Sequence, residues 1–76
     1  MEYTVCRRGN GQLSIQSHLV GRRPDGPRVK ELAGTALPDA TFASLEEAKA
    51  DVRRREPTQS SVLVTDGLRT TWGESI

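Results

Sequence analysis

The sequence predicts a small α+β protein in which an antiparallel β-sheet of four to five strands carries one α-helix on one face. Three observations predict it: period-two alternation near both termini, one capped helical segment at 44–56, and glycine- or proline-containing turns between them. The expected order is β-β-(β)-α-β-β. We expect residues 1–76 to form a single domain, because domains rarely contain fewer than about 50 residues.

The first two strands are predicted to form a β-hairpin. Tyr3 and Val5 alternate with polar residues, and so do Leu13 and Ile15. A three-residue loop, Gly9-Asn10-Gly11, would place Val5 opposite Ile15 and bring all four apolar residues to one face. A two-residue turn would move one strand's apolar residues to the opposite face. Burial therefore favours the three-residue loop.

The middle of the chain is rich in turn signals. Residues 21–28 contain two prolines and the sequence Pro24-Asp25-Gly26, which is typical of an exposed loop. A short strand is expected at 29–32. Residues 33–41 include Gly34, Pro38 and Asp39, so this stretch is expected to be a connection without regular structure.

A helix is predicted from Leu45 to about Arg55. Ser44 and Glu47 form a capping box, in which the serine hydroxyl accepts from the third helical N–H and the glutamate reaches back to the cap. Pro57 ends the helix, because the residue before a proline disfavours helical geometry. The helix must lie across the sheet to be stable, because its apolar face is narrow. That face consists of Leu45, Ala48 and Val52.

The C-terminal part predicts a second hairpin. Residues 61–65 are rich in β-branched side chains and are expected to form a central strand. Asp66-Gly67 favours a two-residue turn, after which 68–72 would return as an edge strand. The three aromatic residues are expected in the core; they are Tyr3, Phe42 and Trp72.

Candidates for catalysis or metal binding are few. Cys6 precedes two arginines, which favour a thiolate, but the hairpin register places His18 about 13 Å away along the strand. His18 itself is expected to be an exposed polar residue. The acidic residues Glu46, Glu47 and Asp51 fit helix electrostatics, including an Asp51–Arg55 pair, better than a metal site. The sequence predicts a non-enzyme without metal or cofactor.

Composition indicates where such a protein acts. One cysteine suits a reducing compartment, and neither a targeting segment nor an apolar stretch of membrane-spanning length is apparent. We therefore expect a soluble cytoplasmic protein that does not bind membranes. Whether it is a monomer or a homodimer stays open.

Arginine clusters are the strongest candidates for partner binding. The chain has nine Arg and two Lys with a net charge of +1, and six of the arginines form two groups. If the groups share one side of the molecule, they could bind carboxylates of a larger protein or ribonucleoprotein complex, or the phosphates of a nucleic acid. The six candidates are Arg22, Arg23, Arg28, Arg53, Arg54 and Arg55.

Several segments together resemble a known type of small protein. The N-terminal strand at 1–5, the glycine turn, Leu37-Pro38 and the segment 44–48 are similar to the β-β-β-α-β domains of HicB-type antitoxins. Similar layouts occur in phage-encoded inhibitors, including anti-CRISPR proteins. The resemblance implies a non-catalytic protein, encoded by a phage or mobile element, that inhibits another protein by occupying its surface. It leaves open whether the role is anti-defence inhibition or antitoxin activity, and this chain lacks an appended DNA-binding helix motif.

Overall fold

A computed structural model describes residues 1–24, 34–66 and 70–76. They form one five-stranded sheet with the strand order β3-β1-β2-β4-β5 and one helix packed on it, which confirms the α+β class. The β2–β4 pair is parallel and the other neighbours are antiparallel. The elements are β1 (Glu2–Arg7), β2 (Leu13–His18), β3 (Thr35–Phe42), α1 (Leu45–Arg55), β4 (Ser61–Thr65) and β5 (Thr71–Ser75).

The parallel pair follows from the path of the helix. Phe42 ends β3 opposite Tyr3, and α1 then runs to the other end of the sheet, where Glu56 contacts Arg7. The chain therefore enters β4 at the end of the sheet where β2 begins. A strand that follows a helical crossover in this way runs parallel to its neighbour.

The first hairpin has the expected register. Val5 lies opposite Ile15 and Arg7 opposite Leu13, so the three-residue loop is confirmed. The loop is closed by a hydrogen bond from the Arg8 N–H to the Gln12 carbonyl at 2.8 Å. Its last residue, Gly11, has a φ of 89°, a conformation that glycine adopts without steric cost.

The expectation that 33–41 lack regular structure is wrong for residues 35–41, which belong to strand β3 (Thr35–Phe42). This strand lies at one edge of the sheet and pairs only with β1, with a register shift between Thr4 and Cys6. An edge strand with an irregular register tolerates Pro38 and an Asp39 whose φ is 54°. The strand expected at 29–32 lies outside the described residues.

The helix has the predicted bounds. The Ser44 hydroxyl accepts from the Glu47 N–H at 3.2 Å, and Glu56 follows as the C-cap. The glutamate half of the capping box differs from expectation, because the Glu47 carboxylate accepts from the Ser44 hydroxyl instead of from a main-chain N–H. Ala48 and Val52 are fully buried against the sheet.

The second hairpin differs from its prediction. Strand β4 lies between β2 and β5 as expected, but Thr65 pairs with Thr71, so residues 66–70 separate the two strands. The two-residue turn is therefore wrong, and the returning strand begins at Thr71 instead of residue 68. Residues 67–69 lie outside the described part of the chain.

The core lies between the helix and one face of the sheet. Tyr3 and Phe42 pack at its margin, whereas Trp72 is 37% exposed and does not belong to the core, contrary to expectation. Every strand except the edge strand β5 contributes to the core. Its buried members are Val5, Leu13, Ile15, Ala40, Ala48, Val52, Val62 and Val64.

Candidate interaction surface

The described members of the two predicted arginine groups do not share one surface, because they lie at opposite ends of the strands. Arg53–Arg55 form the last turn of α1, at the end of the sheet where Glu56 contacts Arg7 at 3.0 Å. Arg22 and Arg23 follow β2, whose last residue His18 lies opposite Glu2. The two ends of β1 are about 17 Å apart.

The two groups are also separated by the sheet. The Nε of Arg23 donates to the Thr41 hydroxyl at 3.1 Å, and a terminal nitrogen of Arg23 donates to the Leu37 carbonyl. Thr41 pairs with Thr4, which alternates along β1 with the core residue Val5 and so faces away from the helix. Arg23 thus lies over the face that α1 does not cover.

Two of the three arginines in the last turn of α1 form ion pairs within the protein. Asp51 is only 4% exposed, and its carboxylate accepts from Arg54 and from the Arg55 Nε, the latter at 2.6 Å. The expected Asp51–Arg55 pair is therefore confirmed. Arg53 is exposed and makes no side-chain hydrogen bond or ion pair with any described residue. Of the three arginines in the last turn of α1, Arg53 is therefore the one that is not bound to Asp51. Arg28 lies outside the described residues.

A tight turn at residues 19–22 projects from the opposite end of the sheet. The Arg22 N–H donates to the Leu19 carbonyl at 2.9 Å, and Gly21 has a φ of 80°, which together define a type II turn. The Glu2 carboxylate accepts from the Gly21 N–H at 3.2 Å, and the His18 Nδ1 donates to the Leu19 carbonyl at 2.9 Å. These contacts tie the 19–22 turn to both β1 and β2.

The 19–22 turn presents apolar side chains to solvent. Leu19 is 66% exposed and Val20 is 70% exposed. Met1, which precedes Glu2 at this end of the sheet, is 58% exposed. Arg22 is exposed on the same turn, and its side chain makes no hydrogen bond or ion pair with the described residues. Among the described residues, this turn combines exposed aliphatic groups with an unpaired cation.

A series of hydrogen-bonded polar side chains lies next to the 19–22 turn and joins it to β1 and β3. The Thr4 hydroxyl lies 2.7 Å from the His18 Nε2 and 2.8 Å from the Thr41 hydroxyl, which accepts from Arg23. His18 is only 8% exposed, so the expectation that it is an exposed residue is wrong. Since a carbonyl oxygen only accepts, Nδ1 is the donor to Leu19. In the tautomer with the proton on Nδ1, the Thr4 hydroxyl donates this hydrogen bond and Nε2 accepts it.

Sequence reasoning did not identify the burial of this second face. Apart from Glu2 at the start of β1, its positions on β1 and β2 carry small or uncharged side chains where a solvated strand usually carries Lys or Glu. The lack of charged residues between Glu2 and His18 on this face was the available signal. The residues of this face on the two strands are Glu2, Thr4, Cys6, Ser14, Gln16 and His18, of which Glu2 and Gln16 are partly exposed.

Cys6 is not a candidate nucleophile. The residue is completely buried, and burial raises the pKa of its thiol to about 11, although the charge of Arg23 opposes the rise. Its sulfur donates to the Thr4 carbonyl at 3.7 Å. The thiol is therefore protonated at neutral pH and has no access to solvent.

Within residues 1–24, 34–66 and 70–76, no group of three or more His, Cys, Asp or Glu side chains is placed to hold a metal ion. No helix in that part of the chain has the length and apolar character needed to cross a membrane. Comparisons with models of protein families, with curated proteins and with solved structures found no match to this chain.

Proposed function

We propose that this protein is a non-catalytic binding module that inhibits a larger protein or ribonucleoprotein complex by docking on its surface. The supporting observation is the 19–22 turn, in which Leu19 and Val20 are exposed beside the unpaired Arg22. Contiguous exposed aliphatic groups on a small domain mark contact sites for other proteins. The matching partner surface is an apolar pocket with acidic groups at its rim.

The turn is suited to this role because it is held in place before binding. Main-chain and side-chain hydrogen bonds fix Leu19, Gly21 and Arg22. A fixed loop loses less conformational entropy on binding than a flexible one, so more of its contact energy is available for affinity. The aliphatic side chains supply apolar contact, and the guanidinium supplies orientation.

The sequence resemblance gives this proposal its biological setting. We propose an anti-defence inhibitor of the anti-CRISPR type, encoded by a phage or mobile element and acting in the cytoplasm without a cofactor. An antitoxin-like protein would use the same surface chemistry. The described elements follow the order β-β-β-α-β-β, which has one strand more than the β-β-β-α-β layout named in the resemblance.

Nucleic-acid binding through the arginines is a weaker alternative. Arg54 and Arg55 are bound to Asp51, and Arg23 is bound to Thr41 and Leu37. A phosphate-binding surface requires several free cations on one side of a protein. Of the described candidates, Arg22 and Arg53 make no side-chain hydrogen bond or ion pair with the described residues, and they lie at opposite ends of the strands.

The two alternatives are separated by capture from a bacterial lysate with and without nuclease treatment. Retention of the same protein assembly in both samples is the expected result. Capture that disappears after nuclease treatment would favour the arginine–phosphate alternative and count against the proposal. The control bait carries Leu19→Ser and Val20→Ser, two exposed substitutions that leave the core unchanged and should abolish retention.

A further inference from the structure

The sheet has two edge strands, β3 and β5, and within the described part of the chain only β3 carries features that hinder pairing with another strand. Strand β3 contains Pro38, an irregular register with β1, and Asp39 at a φ of 54°, all of which hinder the addition of another strand. Strand β5 contains no proline or lysine, and its register with β4 is regular over all of its residues. An exposed regular edge of this kind is a template for another strand.

The ladder shows which main-chain groups of β5 point outward. The Asp66 N–H donates to the Thr70 carbonyl, and the Ile76 N–H donates to the Ser60 carbonyl, both at 3.1 Å. In an antiparallel ladder every second pair exchanges hydrogen bonds, so Trp72 and Glu74 direct their main-chain groups toward β4. The remaining residues direct theirs to the free edge; they are Thr71, Gly73 and Ser75.

We propose that β5 pairs antiparallel with β5 of a second copy of this chain, across a two-fold axis at Gly73. Gly73 then lies opposite Gly73 of the second copy, and Thr71 lies opposite its Ser75. Each of these residues donates one main-chain hydrogen bond across the axis and accepts one. The two sheets become one continuous sheet, and the interface is isologous, as a two-fold dimer requires.

The side chains favour this register. Trp72 and Glu74 lie on the helix side of β5, where the indole N–H donates to the Glu74 carboxylate at 2.9 Å and Lys49 lies 3.2 Å from the same carboxyl group. The two-fold axis places Trp72 opposite Glu74 of the second copy, so an indole donor again faces a carboxylate and no like charges are opposed. A register centred on Glu74 would oppose two carboxylates and leave Thr71 without a partner.

The centre of the proposed interface is open for close approach. A side chain at Gly73 would meet no other atom within 4 Å, and Thr71, Trp72 and Ser75 are exposed. An edge strand of five residues buries much less surface than the roughly 800 Å² that each partner buries in a standard interface. The dimer should therefore be weak. We expect the dimer fraction to rise between about 10 µM and 1 mM protein. This association does not depend on the 19–22 turn.

Sedimentation equilibrium over that range tests the proposal with two matched variants. Gly73→Pro removes the outward N–H at the two-fold axis without removing a hydrogen bond to β4, and should leave the protein monomeric. Gly73→Ala keeps that N–H and fits the open space, and should dimerise like the wild type. If circular dichroism shows that Gly73→Pro is unfolded, Gly73→Lys replaces it, since it opposes two like charges at the axis.

A wild type that remains monomeric at 1 mM would overturn the proposal, and so would a dimer that persists in folded Gly73→Pro or Gly73→Lys. The register has its own test by oxidative cross-linking. A mixture of the Trp72→Cys and Glu74→Cys variants should form a disulfide between the two chains, because non-hydrogen-bonded pairs have Cα atoms about 4.5 Å apart. If either variant alone cross-linked as much as the mixture does, the assigned register would be overturned. Cys6 is buried and should not interfere.

Discussion

The side-chain amide of Gln59 binds the main chain of Leu13 as a neighbouring strand would. Its Oε1 accepts from the Leu13 N–H at 3.0 Å, and its Nε2 donates to the Leu13 carbonyl at 2.9 Å. The same Nε2 also donates to the Ser61 carbonyl at 2.9 Å. One side chain thus extends the β2 ladder beyond the start of β4 and joins the helical crossover to the sheet.

Replacement of Gln59 should destabilise the protein. Gln59→Ala leaves both main-chain groups of the buried Leu13 without these partners, and we expect a loss of about 1 to 2 kcal/mol in the free energy of unfolding. Urea denaturation followed by circular dichroism measures it. Thr58→Ala is the matched control, because Thr58 is exposed and lies beside Gln59 in the same connection. Equal stability of the two variants would contradict the role of the amide.

The hydroxyl of Thr4 should be important for stability. Thr4→Val keeps the shape of the buried side chain but removes the oxygen that joins His18 to Thr41. We expect a loss of about 1 to 3 kcal/mol, because buried polar atoms are left without a partner. Thr35→Val, an exposed substitution on β3, serves as the control in the same urea titration and should change stability little. A neutral effect of Thr4→Val would show that the bridge does not stabilise the fold.

The Cys6 thiol should be unreactive in the folded protein. Iodoacetamide at pH 8 should leave native protein unmodified and alkylate it fully in urea, as mass spectrometry would show. The thiol pKa rises from 9.0 to about 11 on folding. The contribution of the protonated thiol to the free energy of unfolding is therefore complete below pH 9 and is lost between pH 9 and 11. Cys6→Ala should lose stability less steeply over that range. Rapid alkylation of the native protein would contradict the burial of the thiol.

Acid should weaken the protein partly through Glu74. The hydrogen bond from the Trp72 indole, followed by the hydrogen bond and charge of Lys49, lowers the pKa of the Glu74 carboxyl below its ordinary value of 4.5. The ionised Glu74 carboxylate therefore adds to the free energy of unfolding above about pH 4.5, and this contribution is lost as the pH falls through the lowered pKa. Thermal unfolding between pH 6 and pH 3 should show a smaller decrease for Glu74→Gln than for wild type. Asp39→Asn, which removes an exposed carboxylate elsewhere, should retain the wild-type profile.

The elements that local patterns define were predictable from the sequence. Val5 and Ile15 could share a face in only one of the two loop choices, which fixed the register of the hairpin. Ser44 and Pro57 bracket the helix with a cap and a stop. Strand β3 was not predictable in the same way, because Pro38 and Asp39 are turn signals, and its pairing with β1 depends on a contact distant in sequence.

The candidate surface was harder to predict than the fold. Adjacent arginines in sequence suggested one basic surface, but Asp51 binds two of them and the sheet separates Arg23 from the helix. The exposure of Leu19 and Val20 was equally hidden, since an apolar pair after a strand commonly continues into the core. Only the turn defined by Gly21, together with its contact to Glu2, directs them outward.

The most direct test of the proposed function measures how the captured partner binds matched variants of the chain. Isothermal titration calorimetry would compare wild type, the Leu19→Ser/Val20→Ser double variant, and Arg53→Ser at the opposite end of the molecule. We predict at least a tenfold loss of affinity, about 1.4 kcal/mol, for the double variant and less than a twofold change for Arg53→Ser. Unchanged affinity of a folded double variant would contradict docking through the 19–22 turn.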